Sequence, residues 1–240
     1  AIMKTVIYRD DHIIALNKPA GLATQGGSKQ KKHIDGFTEA LKFEMDEKPR
    51  LVHRLDKETS GVLLLARTRK VAQYLADAFK QKKTRKIYWA AVAGVPTPHS
   101  GTINYGLVKS SFRDFEKMRC VHPNDIKKVD GAKHAATDYM VLTQLAKRGS
   151  WLAMAPITGR THQLRLHLQH LEHPIANDPN YGGDIWYGNP EGKRSCQIAE
   201  ERLSVINQSE DTSYSSDIPD ECERKKLKVF QSVRVSEFLV

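Results

Sequence analysis

The sequence of 240 residues predicts an α+β domain. Short β-branched and apolar runs recur between turn-rich breaks, and only two segments carry helical spacing. The hydrophobic (40%) and charged (28%) fractions are those of an ordinary globular chain long enough to bury a core. No apolar run approaches bilayer length, so a membrane span is not expected. A formal charge of +10 predicts a surface that attracts polyanions, with RNA, DNA and anionic lipid as candidates. Cys120, Cys196 and Cys222 are far apart and lack CxxC spacing, which argues against a disulfide framework or a cysteine zinc site and for a reducing compartment. The opening "AIMKTVIYRDD" has no leader pattern, so no targeting peptide is expected.

The elements follow in order. "KTVIYRDDHIIALNKPAGLAT" reads as a hairpin broken at Arg9-Asp10-Asp11 and running into a Lys18-Pro19-Ala20-Gly21 loop, followed by a polar, basic "GGSKQKKH". "GVLLLART" is short, apolar and bounded by Gly61 and Arg67, which predicts a buried strand. Val71, Tyr74, Leu75 and Phe79 then recur at helical spacing, predicting an amphipathic helix with a basic end. "KIYWAAVAG" restarts a strand, and Pro96, Pro98 and Gly101 mark turns. Residues 109–134 read as a charged, irregular surface insertion. "TDYMVLTQL" and "SWLAMAPIT" predict two strands leading into a helix from about Thr161. That helix sets Leu164, Leu168 and Leu171 on an apolar stripe and His162, Arg165 and Gln169 on a polar one. Two domain regions are expected: 1–184, and a tail of 185–240, rich in Ser and acids and then abruptly basic, that is poorly ordered or peripheral.

The chemistry centres on "LVHRLDKETSGVLLLART", where a lone carboxylate, Asp56, follows Arg54 and precedes a glycine-bearing turn. Taken alone, Asp56 reads as a turn residue or helix cap. His53-Arg54-Leu55-Asp56 followed by Thr59-Ser60-Gly61, however, resembles the signature of the RluA-type pseudouridine synthases, which isomerise uridine in ribosomal and transfer RNA. "LNKPAGL" at 16–22, "KIYWAAV" at 86–92 and "TGRTHQLRLHL" at 158–168 are similar to further blocks of that family, in the same order.

The resemblance implies the pseudouridine synthase fold, a mixed and largely antiparallel central sheet with flanking helices and a basic cleft. It also implies that Asp56 attacks C1′ of the target nucleotide or removes its 2′ proton, two routes that a carboxylate serves equally. Arg165 is the implied cationic partner of Asp56, and Tyr88 is implied to stack on the uracil. Arg54 is implied to fill the gap left when the uridine flips out. His53, Lys86, Arg160, His162 and Gln163 complete the implied substrate contacts, and Lys80, Lys82, Lys83 and Arg85 are expected along the RNA backbone.

No cofactor, nucleotide or metal is expected. His167 and His170 lie one helical turn apart but have no completing ligand set, and "NKPAGLATQGG" lacks phosphate-loop spacing. RNA, ribosomal or transfer, is the expected partner, without a membrane and with a monomeric protein. The expected compartment is the cytoplasm, with a mitochondrion or other organelle as the alternative. The competing readings are a catalytically silent RNA-binding or ribosome-assembly protein on the same fold, and a nucleoside or glycoside hydrolase, for which a second acid is wanting. Two departures from the family stand out: Asn177 occupies a usual glycine place in "HPIANDPNYGG", and the closing Leu-His-Ala motif is missing from residues 185–240.

Overall fold

The computed structural model of the protein describes residues 2–27, 31–112, 115–176, 178 and 180–182. The expectations for Asn177, for part of the "GGSKQKKH" stretch and for the tail from 185 lie outside the described residues. Strands β1 (Val6–Arg9), β2 (Ile13–Lys18), β3 (Arg50–Leu51) and β4 (Gly61–Ala66) form a sheet in the order β1-β2-β4-β3. Strands β5 (Tyr88–Ala93), β6 (Ser100–Phe112), β7 (Phe115–Val121), β8 (Lys133–Leu145) and β9 (Gly149–Pro156) form a second sheet, ordered β5-β9-β8-β6-β7. All the paired strands within these two sheets are antiparallel. The α+β, largely antiparallel architecture expected from the sequence is thus present, its strands divided among the described residues between two sheets.

The first sheet buries Ile14, Leu16, Leu63 and Leu65 together with Ile34, Leu41 and Leu55. Burial of these side chains removes apolar surface from water and drives this half together. Helix α1 (Arg69–Lys80) begins at Thr68, whose hydroxyl accepts from the Val71 N–H at 3.3 Å, and it packs on β3 and β4. Its buried face is Leu75 and Ala78; Tyr74, expected on the apolar stripe, is 53% exposed.

The second sheet buries Ala90, Val92, Ile103, Tyr139, Leu152 and Met154 against Leu168 of helix α2 (Gln163–His170). A further cluster joins Leu107, Ala135, Leu166 and Tyr181. Helix α2 is therefore covered on more than its leucine stripe, because Gln163, Leu166 and His167 are buried as well. Two other expectations are corrected. Residues 109–134 are not an irregular insertion: β6 and β7 form a hairpin pairing Gly106 with Val121 and running out to Phe112 and Phe115, followed by a short 3-10 turn at Pro123–Lys128. Gly101 lies inside β6, paired with Tyr139, rather than in a turn. The outer β6–β7 hairpin exposes the charged side chains Lys109, Lys117 and Arg119, so its composition reads as loop, whereas Gly101 reads as a turn only because it is a glycine.

Two features of register position the cleft. Lys18 pairs with Gly61 at the end of the β2–β4 ladder, which sets the Lys18–Gly21 loop beside the turn that carries Asp56. After α2 the chain returns onto β5, where Ala93 donates to Pro174 O at 3.0 Å and Ala176 donates to Ala91 O at 2.9 Å. Tyr88, at the start of β5, packs against both main cores and so stands where the two sheets meet.

Candidate active site

Asp56 sits in the turn between β3 and β4, and the residues on either side of it are fastened from below. Leu55 is buried in the first core; its carbonyl accepts from Thr24 Oγ1 at 2.6 Å, and its N–H donates to the same oxygen at 3.2 Å. The Lys57 carbonyl accepts from Gly21 N at 2.9 Å and from Lys18 Nζ at 3.1 Å. Lys18 is fully buried, and its ammonium also donates to Leu22 O at 2.6 Å and Pro19 O at 2.9 Å. Burial depresses its pKa, while Glu58 and Asp56 favour the charged form. One buried cation thus ties two loops together through three carbonyls. Gly61 closes the turn at φ +121°, a conformation that side chains rarely adopt. With its neighbours fixed, the Asp56 side chain points outward and is 34% exposed.

Arg165 comes from the first turn of α2 and is held differently. Its Nε and Nη2 donate to the two carboxylate oxygens of Asp178, each at 2.7 Å, a bidentate pair. Its guanidinium carbon lies 4.8 Å from the centre of the Tyr181 ring. The remaining nitrogen, Nη1, is 3.6 Å from Asp56 Oδ2. Asp178 also accepts from the N–H groups of Asn180 at 3.0 Å and Tyr181 at 3.1 Å. Burial opposes the charged form of both partners; their hydrogen bonds to each other outweigh it, so the Asp178 pKa lies below and the Arg165 pKa above the ordinary value. Asp56, Glu58, Thr59, Arg165, Ile175, Ala176 and Asp178 line a common recess.

Other predicted residues also converge here. His162 precedes α2 in a left-handed conformation, φ 55°, with Nε2 3.9 Å from Asp56 Oδ2 and Nδ1 2.8 Å from the Tyr181 hydroxyl. Burial is the largest influence on the Tyr88 phenol and raises its pKa, with Asp56 acting in the same direction, so this phenol keeps its proton at neutral pH. Lys86 is half-buried beside the loop before α2, its Nζ lying 3.4 Å from where a Cβ on Gly159 would stand. Burial lowers its pKa.

Arg54 is exposed, its Nη1 donating to Gln25 at 3.3 Å. Arg160, Lys80, Lys82, Lys83 and Arg85 are exposed too, and Arg160 Nε donates to His134 O at 3.1 Å.

Two expected substrate contacts are corrected. His53 turns inward: its Nε2 accepts from the Leu64 N–H at 2.9 Å, its ring lies 4.8 Å from that of Phe79, and burial with Lys86 nearby lowers its pKa to about 4. Gln163 is buried; its amide donates to Ala136 O and Thr137 Oγ1, and its carbonyl accepts from Thr158 Oγ1 and the Arg160 N–H. Both side chains brace the cleft wall. His167 and His170 diverge, His167 Nδ1 lying 2.9 Å from Thr137 Oγ1 and the His170 ring 3.9 Å from that of Tyr105. Among the described residues no three His, Cys, Asp or Glu side chains are grouped to hold a metal, and no helix is long and apolar enough to cross a membrane.

Sequence reasoning missed Lys18, Thr24, Asp178 and Tyr181. Lys18 lies in the "LNKPAGL" block, where its neighbours Pro19 and Gly21 give it the appearance of a loop residue. Asp178 and Tyr181 lie in "HPIANDPNYGG"; an arginine in a polar stripe calls for a second carboxylate, and Glu172 and Asp178 both follow α2, so spacing does not single out Asp178.

Comparison with known proteins agrees with this geometry. Residues 12–170 match the RNA pseudouridylate synthase family. The chain is 44% identical over 177 residues to ribosomal large subunit pseudouridine synthase C of Rickettsia typhi, covering 74% of this chain and 56% of that protein. It is 40% identical over 197 residues to RNA pseudouridine synthase 4, mitochondrial, of Arabidopsis thaliana, covering 75% and 41%. Human RNA pseudouridylate synthase domain containing 4 superposes with a TM-score of 0.62 at 30% identity, covering 75% of this chain and 69% of that one. The chain spans about half the length of the curated relatives it matches. On its sequence, its fold and the arrangement around Asp56, the chain belongs to the RNA pseudouridylate synthase family.

Proposed function

We propose that the chain isomerises uridine to pseudouridine in RNA, with Asp56 as the reacting carboxylate, and that its substrate is ribosomal RNA. The observation that carries this reading is the partly exposed Asp56 on a fastened turn, with the Nη1 of a mostly buried arginine, clamped through Nε and Nη2 by Asp178, 3.6 Å away. The names of the Rickettsia relatives support ribosomal RNA over transfer RNA. The reaction needs no outside reagent: the C1′–N1 bond breaks, the uracil turns, a C1′–C5 bond forms, and the proton on C5 leaves to solvent as N1 gains one.

Asp56 either attacks C1′ or takes the proton from C2′. Arg165 sets a positive charge 3.6 Å from the Asp56 carboxylate without a short contact to it. Tyr88, protonated and set between the two sheets, stacks on the turning base. Arg54, exposed beside the turn, takes up the space in the RNA stack, and Lys86, Arg160, Lys80, Lys82, Lys83 and Arg85 neutralise phosphates. The protein acts as a monomer wherever such RNA is found, in a cytoplasm or a mitochondrion.

The test is to map pseudouridine in ribosomal and transfer RNA from cells lacking the gene. The account expects one or a few ribosomal positions to revert to uridine and to be restored by the wild type but not by Asp56→Asn. An unchanged map, with free uracil released from RNA by the purified chain, would replace isomerisation with hydrolysis.

A further inference from the structure

His162 borders the reacting carboxylate, yet it is paired on its far side with a phenol, and this pairing determines which ring nitrogen carries hydrogen. The Met118 backbone N–H donates to the Tyr181 hydroxyl oxygen at 3.4 Å. With one lone pair of that oxygen occupied, the hydroxyl has its proton free to point to His162 Nδ1, 2.8 Å away. Tyr181 is itself buried against Leu166, and Arg165 lies over its ring, so the phenol has little freedom to turn. A ring that accepts at Nδ1 carries its hydrogen at Nε2 when neutral. Nε2 faces Asp56 Oδ2 across 3.9 Å. That gap is too long for a direct hydrogen bond, but an oxygen about 2.8 Å from both atoms fits within it.

We infer that the chain Met118 N–H, Tyr181 O–H and His162 locks His162 as the Nε2–H form, a neutral donor that grips a hydroxyl of the target nucleotide while the same hydroxyl donates to Asp56. His162 is then a substrate-positioning residue, and Tyr181 positions His162. Burial, the largest influence on the ring, lowers its pKa, and Arg165 acts in the same direction against the opposing pull of Asp56 and Asp178, which agrees with a neutral imidazole. The left-handed backbone at His162, φ 55°, is costly for a residue other than glycine or asparagine; it is retained where it aims the ring at Asp56.

The inference rests on the proposed isomerase activity for its consequence but not for its geometry, and the test separates the two. Nitrogen-15 NMR of the full chain with labelled histidine reads the tautomer without any substrate. The expected result is hydrogen on Nε2 of His162 in the wild type and a mixture in Tyr181→Phe; hydrogen on Nδ1, or no response to Tyr181→Phe, overturns the lock.

Tritium release from RNA labelled at uracil C5 then reads the role. His162→Ala is expected to lose about 10–100-fold in kcat/KM, the worth of one hydrogen bond to a reacting group. His162→Gln, whose amide nitrogen reaches the Nε2 position, is expected to recover most of this, whereas His162→Asn, whose amide reaches only the Nδ1 position, is not. Asn suits the left-handed backbone better than Gln, so a backbone role would invert that order and overturn the assignment. If the wild type releases no tritium, it is the isomerase reading that fails, and the tautomer measurement still decides the lock.

Discussion

Asp56 and Arg165 stand 3.6 Å apart but are held by opposite means. The turn carrying Asp56 is fixed through backbone carbonyls, by Lys18, Gly21 and Thr24, and its carboxylate is left half-open. Arg165 is fixed through its own charge, clamped in two places by Asp178, with one nitrogen to spare. In the proposed reaction this difference would position Asp56 through its anchored backbone, with only a long 3.6 Å ion-pair contact to Arg165 at its side chain. The cation is clamped on one edge, so that its field reaches Asp56 in a fixed direction. Each half also carries a histidine whose pKa is lowered to about 4 chiefly by burial, the partly buried His53 beneath the first sheet's turn and the fully buried His167 on α2.

The largest expected effect acts on both halves together. The unfolded chain protonates these histidines near pH 6.5, whereas the folded protein does so only near pH 4. Between those values the unfolded state binds more protons, so stability falls as pH drops from 6.5 to 4, by up to about 3 kcal/mol per histidine. Denaturant unfolding across this range reads the slope, and His53→Gln should remove about half of it. An unchanged slope in that variant would mean that the first half carries no such group.

Next, Asp178→Asn strips the clamp from a buried guanidinium and is expected to cost about 3 kcal/mol of stability and at least about 10-fold in activity. If activity fell while stability did not, Asp178 would be acting directly on substrate and the contrast between the halves would weaken. Lys18→Met removes the donor shared by three carbonyls and is expected to cost about 2 kcal/mol. Hydrogen exchange of the 52–60 turn should rise in this variant and that of α2 should not; equal loosening of both would contradict separate anchoring. The smallest effect on turnover comes from changing Lys80, Lys82, Lys83 and Arg85 to alanine. RNA affinity should fall and its salt dependence flatten by about one counterion per lost phosphate contact, with kcat retained.

Much of this was legible in the sequence. The hairpin, the half-buried "GVLLLA" strand, α1, β5, β8 and β9 and the start of α2 follow from apolar spacing and turn residues, and the motif blocks supply Asp56, Tyr88 and Arg165 as the proposed site. What escaped was whatever depends on a long-range partner. Gln163 and His53 carry polar atoms that suit an RNA as well as they suit Ala136 and Leu64, and only the fold decides between them. Lys18 has the composition of a loop cation, and its burial follows from the ladder that seats it against Gly61. The β6–β7 hairpin does carry the alternation of a half-solvated strand, Met118 and Cys120 inward and Lys117 and Arg119 outward, but its charged outer face gives the stretch the composition of a loop.

The central claim is that Asp56 is the reacting group of an isomerase, and the most direct measurement is tritium release from RNA labelled at uracil C5, taken from cells lacking the gene. The account predicts release by the wild type and a fall of at least about 10³-fold in Asp56→Asn, with RNA binding retained. Equal release by both proteins would contradict the role given to Asp56, and tight binding with no release from either would leave the chain an RNA-binding protein on a synthase fold.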